Sequence, residues 1–337
     1  MEPYYQFLIF LALLMFVNFF FLKKNLLIDS PNVDKHKKKI IFSNKVPKSL
    51  GIIVFLFFII NFRFDAYEKI LISFIFFLGI LSDTKRLNSP KLRFFFQALI
   101  VLFYLIYSET NIQSTKIPFI DNLLRFEYFS VFLTLFCILI VINGSNFIDG
   151  LNTLCLGYYL SVSVIILLLD IDKVYNFEII YSFISVLLLM YFFNFFGKSF
   201  LGDSGSYFLG ILVSILLINM HYSTVIISPW FIAVLVWYPA FEILFSIIRR
   251  SIQSKNPFFP DNRHLHQLLY LYLKKKFNLK TPFLNPITAN VINIYNFLTF
   301  YLAFNYYNLS LVMVIIFIFN FFNYLVFYLI LEKSISK

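Results

Sequence analysis

The sequence predicts an all-α, polytopic integral membrane protein with about 11 transmembrane helices, N-terminus outside and C-terminus inside. Three observations carry that prediction. Hydrophobic residues make up 60% of the 337-residue chain and charged ones only 13%, with a mean hydropathy of +0.82. Apolar runs recur along the chain, most of them near the roughly 20 residues that cross a bilayer as a helix. Basic residues gather in alternate connecting segments, the pattern that holds short loops in the cytoplasm.

Taken in order, the first run, 3–22, opens on MEPYYQ without a basic residue and is followed by Lys23 and Lys24. It reads as a retained span and not a cleaved signal peptide. Runs 46–62 and 67–82 are parted by the polar Arg63 and Asp65, and 93–107, the shortest, follows a string rich in Lys and Arg. Run 128–142 leads into an asparagine-rich string; 154–169 and 177–196 are joined across Asp170, Asp172 and Lys173. Run 206–220 follows a Gly/Ser/Asp string, 224–248 contains Pro239 and ends at Arg249 and Arg250, and 287–305 and 308–331 close the series. The 48 phenylalanines suit lipid-facing surfaces and helix packing.

Alternation from an outside N-terminus leaves only Arg63, Lys69, Lys116, Arg125 and Lys173 outside, with the other 23 of 28 basic residues inside. The net charge of +11 is therefore explained by topology and makes no case for nucleic acid. The cytoplasmic segments are about 23–45, 82–92, 143–153, 197–206 and 249–286. The last is too small to bury a core of its own, and no repeat is visible, so residues 1–337 read as one membrane domain. Cys137 and Cys155 sit in or beside apolar runs and fit no metal spacing.

Four compact polar strings fall on the inner side, which was assigned from Lys and Arg alone. In FLGDSGSYFLG (200–210), glycines flank Asp203 and Ser206 reads as the N-cap of the next helix. Free N–H groups there favour an anion and Asp203 offers Mg²⁺ a hard oxygen ligand; a capped turn with a solvated Asp203 is the plainer alternative. In NGSNFIDGLN, Asn143, Asn146, Asp149 and Asn152 recur every third residue, one polar stripe on a helix. Such a stripe at a membrane edge suits sugar hydroxyls, a nucleobase or Mg²⁺, or else hydrogen bonds between helices. In GILSDTKRLNSPKLRFFFQ (79–97), Asp83 ends an apolar run beside Lys85, Arg86, Lys91 and Arg93, each of which taken singly reads as a topology anchor. Pro239 and Glu242 add a carboxylate at similar depth, equally explained by a helix kink with a snorkelling acid.

The fourth string, NPFFPDNRHLHQLL (256–269), places His264 and His266 beside Asp261 and Arg263. A metal, a phosphate or a plain solvated loop are all compatible with it. Zinc lacks a third soft ligand at a useful spacing, and inner-face placement beside the other strings points to phosphate. A transporter or flippase is the rival class, but such proteins favour midplane binding groups and repeated halves, and neither is visible.

In order along the chain, these strings resemble the polyprenyl-phosphate N-acetylhexosamine-1-phosphate transferases, glycosyltransferase family 4, of the O-antigen and teichoic acid branch. The family's glycine, acid pair, Leu, Lys and Gln are matched at Gly79, Asp83, Leu87, Lys91 and Gln97, and its asparagine-rich string at Asn143, Asn146, Asp149 and Gly150. Its Gly-Asp-x-Gly-Ser string is matched at Gly202, Asp203, Gly205 and Ser206, and its histidine string at Pro260, Asp261, Arg263, His264 and His266. Ser82 stands where the first acid of the pair is expected, Asn152 where a second acid of the asparagine string is expected, and Gln267 where a further histidine is expected; Glu242 replaces a common aspartate.

The resemblance implies transfer of a sugar 1-phosphate, GlcNAc-1-phosphate or that of a related N-acetylamino sugar, from a UDP-sugar to undecaprenyl phosphate. UMP is released, and the step initiates cell-surface polysaccharide synthesis. The departures leave a catalytically impaired relative as the alternative. It implies catalytic roles for Asp83, Asp149, His264 and His266, and substrate contacts for Asn143, Asn146, Lys91, Arg263 and Asp261. It also implies Mg²⁺, with Mn²⁺ as a substitute, on Asp203 with help from Asn146. The implied setting is the bacterial cytoplasmic (inner) membrane, with the active site on the cytoplasmic face, lipid around it and a homodimer as the assembly.

Overall fold

The computed structural model describes residues 3–29, 45–108, 110–169, 177–224, 226–254, 261, 263–277 and 283–336. Lys35, Lys37, Lys38 and Lys39 of the first basic loop, Asp170, Asp172 and Lys173, and Pro260 of the histidine string lie outside these residues. The helices are α1 (Pro3–Lys24), α2 (Leu50–Asn61), α3 (Ala66–Asp83), α4 (Pro90–Ser108), α5 (Pro118–Leu124), α6 (Glu127–Ile148) and α7 (Leu154–Leu168). They continue with α8 (Phe177–Phe195), α9 (Gly202–Ser223), α10 (Pro229–Leu235), α11 (Trp237–Ile252), α12 (Leu265–Phe277), α13 (Leu284–Phe304) and α14 (Ser310–Ser336). The remaining regular structure among the described residues is an antiparallel pair, β1 (Ile28–Asp29) with β2 (Val46–Pro47).

Each apolar run of the sequence corresponds to a helix, or for 224–248 to the pair α10 and α11, but they are not equivalent. Seven helices (α1, α4, α6, α8, α9, α13 and α14) are long and apolar enough to cross a membrane, or eight if the bent pair α10–α11 is one span. At 12 and 15 residues, α2 and α7 are shorter. A 12-residue helix reaches only about 18 Å against a hydrocarbon core of about 30 Å. Both look like spans in sequence because they are wrapped by protein: most of their side chains are buried.

The bend in the eighth candidate follows from Pro239. Lacking an N–H, it leaves the Leu235 carbonyl one turn back without a helical partner. Tyr158 of α7 donates its hydroxyl to that oxygen at 2.8 Å, and α10 meets α11 at 72°.

At the centre lies α9, with most of its residues buried and α2, α3 and α6 packed against it. Small residues let the backbones meet. A Cβ at Gly79 of α3 would fall on the Ser204 backbone, and one at Gly51 of α2 on the Gly205 backbone. Further along, Phe55 of α2 stacks on Phe76 of α3 with ring centres 3.9 Å apart, and Phe208 of α9 meets both rings edge-on.

The segments entering α2 and α9 are laced together. Phe200 N–H donates to the Pro47 carbonyl (2.9 Å), and Leu50 N–H donates to the Phe200 carbonyl (3.2 Å). The Ser49 hydroxyl meets Asn18 and Ser199 in the same buried seam. This lacing delivers Lys48 to the end of α3.

Candidate active site

The first turn of α9 organises the site. Its opening residue, Gly202, has φ +75°, a conformation glycine adopts without strain. Asp83, the last residue of α3, approaches so closely that a Cβ on Gly202 would strike its carboxylate. Asp83 Oδ1 accepts from Asp203 N–H at 3.0 Å, and Oδ2 accepts from Ser204 N–H at 2.9 Å. The side chain is fully buried, and Lys48 Nζ stands 3.2 Å from Oδ1. An acid from another helix therefore caps α9. The helix begins at Gly202, not after Ser206, and the anion expected at its N-terminus is Asp83 itself; Ser206 instead bonds back to the Asp203 carbonyl.

With the turn held this way, the Asp203 carboxylate points to the ends of three other helices. Oδ1 accepts from Asn146 Nδ2 of α6 at 2.8 Å, and the same amide reaches Ser206 Oγ at 3.2 Å. Oδ2 accepts from Arg93 Nη1 of α4 at 2.7 Å and from Ser82 Oγ of α3, which also contacts Arg93. Asp203 keeps 29% of its side-chain surface exposed and Arg93 20%, so this carboxylate is reachable where Asp83 is not.

The asparagine stripe is real but shorter than its spacing suggests. Asn143 and Asn146 lie on α6, which ends at Ile148; Asp149 is its C-cap, and Asn152 lies beyond it. Asn143 Nδ2 donates to Gln97 Oε1 of α4 at 2.8 Å, tying two of the strings together. Asn152 contributes its backbone N–H to Asn285 Oδ1 (2.7 Å), so that position is spent on the turn into α7.

The histidine string forms a second cluster on the other flank of the α6 terminus. His264 Nδ1 is 3.0 Å from Glu242 Oε1 and 3.2 Å from Ser246 Oγ. Glu242, wholly buried on α11, also accepts the Leu265 N–H at 3.2 Å, the start of α12. With Glu242 ionised, the proton lies on Nδ1 and His264 presents Nε2. Phe147 of α6 meets the His264 ring edge-on, and the His266 ring lies parallel to it at 5.5 Å. His266 is completely buried, neither ring nitrogen has a partner among the described residues, and burial pushes it down to about 3. It is thus an uncharged ring at neutral pH. Gly150 lies against it, where a Cβ would overlap Nε2. Gly150→Ala is expected to displace that ring, destabilise the fold by an overpacking cost of about 1–3 kcal/mol, read as a lower thermal midpoint in detergent, and reduce activity in the same preparation.

The remaining candidates sit further out. Asp261 pairs with Arg249 of α11 and accepts the Arg263 N–H at 3.2 Å. Burial opposes its charge, yet those donors hold the carboxyl below its usual range. Arg263 is 52% exposed and its guanidinium faces Glu332 of α14 at 3.4 Å. Lys91 is exposed on the first turn of α4.

Two residues of the clusters were not singled out for chemistry by sequence. Arg93 was one basic residue among several, although it lies one turn before Gln97 on α4. Glu242 was a kink-side acid, although Glu242, Ser246 and Arg249 recur at i, i+4 and i+7, one face of α11.

Residues 67–221, which include Ser82, Asp83, Arg93, Asn146 and Asp203, match the sequence profile of glycosyl transferase family 4. The chain is 31% identical over 201 residues to a Bacillus subtilis protein named "Probable undecaprenyl-phosphate N-acetylglucosaminyl 1-phosphate transferase", covering 58% of this chain and 55% of that one. Proteins named undecaprenyl-phosphate alpha-N-acetylglucosaminyl 1-phosphate transferase match as well. The one from Thermotoga maritima is 28% identical over 253 residues, 74% of each chain, and that of Escherichia coli K12 is 29% identical over 207 residues, 57% of this chain and 54% of that one. The chain thus spans about half the length of the Bacillus and Escherichia relatives. The matched segment holds the carboxylate cluster, so over residues 67–221 the chain is similar to glycosyl transferase family 4.

Proposed function

We propose that the protein transfers an N-acetylamino-sugar 1-phosphate, with N-acetylglucosamine as the first choice, from a UDP-sugar to undecaprenyl phosphate. A lipid phosphate oxygen attacks the sugar-bearing phosphorus, its bond to the UMP phosphate breaks, and UMP leaves. The observation that carries this reading is the convergence of side chains from α3, α4 and α6 on one partly exposed carboxylate of α9, Asp203. The names of the matched relatives support the acceptor and the sugar.

The lipid nucleophile is a phosphate monoester with a second pKa of about 6, so it is largely dianionic at neutral pH without a strong base. That suits a site in which the buried acid beside Asp203, Asp83, has both oxygens given to backbone N–H groups. Asp83 is then a positioning residue that aims Asp203. Positioning and charge neutralisation dominate phosphoryl transfer. Among the described residues no three His, Cys, Asp or Glu side chains are grouped to hold a metal alone. One reachable carboxylate is nevertheless what Mg²⁺ uses when substrate phosphates and water complete its shell. Asp203 would hold it, with Asn146 fixing the carboxylate, and the bound ion would neutralise diphosphate charge. His264 Nε2 and Asp149, at the same α6 terminus, are assigned to phosphate and to nucleotide or sugar. A polytopic bundle with an outside N-terminus and a site on the cytoplasmic face of the bacterial inner membrane completes the proposal.

Exchange of labelled UMP into UDP-GlcNAc by membranes containing the protein tests this reading. Exchange dependent on undecaprenyl phosphate is expected. Its absence with every UDP-sugar tried favours the impaired relative, the second reading that Ser82 and the Arg93–Asp203 pair keep open.

A further inference from the structure

Arg93 is the cationic partner of Asp203, the carboxylate that would hold a divalent cation. Its Nη1 lies 2.7 Å from Oδ2, the Ser82 hydroxyl bridges the two groups, and its Nε–H is buried without a partner among the described residues. The neighbouring pair, Lys48 with Asp83, is closed, because Asp83 spends both oxygens on α9. The local charges therefore balance as they stand, two cations against two carboxylates. A dication arriving at Asp203 would meet the guanidinium beside the carboxylate and be repelled by it. If Arg93 swung away, Ser82 would offer it only a neutral hydroxyl, and burial without a counter-ion is costly. A diphosphate supplies the missing anion, and the planar guanidinium fork suits two phosphate oxygens at once. Arg93 sits on the first turn of α4 between the exposed Leu92 and Phe94, so its side chain can turn without repacking the core.

We propose that Arg93 is a counter-ion switch: it neutralises Asp203 in the absence of ligand and passes to the donor's diphosphate as the metal enters, so that divalent cation and nucleotide diphosphate bind only together. This rests on the reading of Asp203 as the metal carboxylate and deepens it.

The test uses the purified full-length protein, Mn²⁺ followed by the loss of its free-ion electron paramagnetic resonance signal, and UDP as the diphosphate. In the wild type, saturating UDP should tighten Mn²⁺ binding by at least about tenfold, and Mn²⁺ should tighten UDP binding by the same factor. Arg93→Met should bind Mn²⁺ alone at least about tenfold more tightly than wild type, with the coupling reduced to under about twofold. Ser82→Asp gives an independent route, since an added carboxylate retains Arg93 and frees Asp203; it too should bind Mn²⁺ without UDP, and it decides the matter if Arg93→Met does not fold. The proposal is overturned if these variants bind Mn²⁺ alone as weakly as wild type with the coupling intact, or if wild type binds Mn²⁺ equally with and without UDP. Wild type that binds neither ligand and shows no lipid-dependent exchange overturns the functional reading together with the switch. Exchange with unchanged coupling in the variants overturns the switch alone.

Discussion

Asp203→Asn is expected to abolish sugar-phosphate transfer, a loss on the order of 10³-fold or more, while the protein still accumulates and folds. The two outcomes separate because of how α9 is built. The carboxylate that caps the helix belongs to Asp83, and it bonds the backbone N–H groups of residues 203 and 204 whatever side chain stands at 203. Asparagine preserves size and can still face Asn146 and Ser82, so packing at the Gly79 and Gly51 contacts is undisturbed. What disappears is the negative charge opposite Arg93. Transfer of labelled sugar phosphate to undecaprenyl phosphate, measured in membranes supplied with Mg²⁺, checks the first outcome, and the thermal midpoint of the purified protein checks the second. Activity near the wild-type level would remove Asp203 from the metal role.

Glu242→Ala should be the next most damaging change. It removes the acceptor of both His264 Nδ1 and the Leu265 N–H, in a place with no solvent exposure. Donors left unpaired there cost about 1–3 kcal/mol, and the imidazole loses what fixes its tautomer. Loss of such orienting partners typically lowers activity about 10–100-fold. Glu242→Gln retains an acceptor without the charge and should fall between wild type and alanine. A positioning role is recognised by the conservative variant: Glu242→Gln should recover activity per folded molecule relative to alanine, whereas simple loss of folded protein would leave activity per folded molecule unchanged in both.

Much of the architecture was legible because apolar length and basic-loop asymmetry are one-dimensional signals. All the apolar runs became helices, and Asn143, Asn146 and Asp203 lie in a connected site with Ser82 and Asp83. What was not legible depends on neighbours. Hydropathy reports that α2 and α7 avoid water, not whether lipid or protein does the shielding. That Asp83 caps α9 was hidden because its partners, the N–H groups of residues 203 and 204, lie 120 and 121 residues away. Nor does the motif show that Arg263, expected to contact phosphate, faces Glu332 of α14. Arg93 and Glu242 were hidden for the opposite reason: a basic residue beside a span and an acid beside a proline each already had a sufficient simpler explanation.

The glycine contacts around α9 also bear on the order in which the chain is made. Helices α2, α3 and α6, which form the groove that receives it, all precede α9 along the chain. They have left the ribosome when the Gly202–Ser223 segment emerges, so its docking completes a receptor already present, in keeping with domains forming N-terminal parts first during synthesis. Glu242 and the histidines are synthesised later and arrive at an α6 terminus that α9 already braces. The carboxylate half of the site is therefore assembled before the histidine half, and a chain arrested after α9 should hold the first without the second.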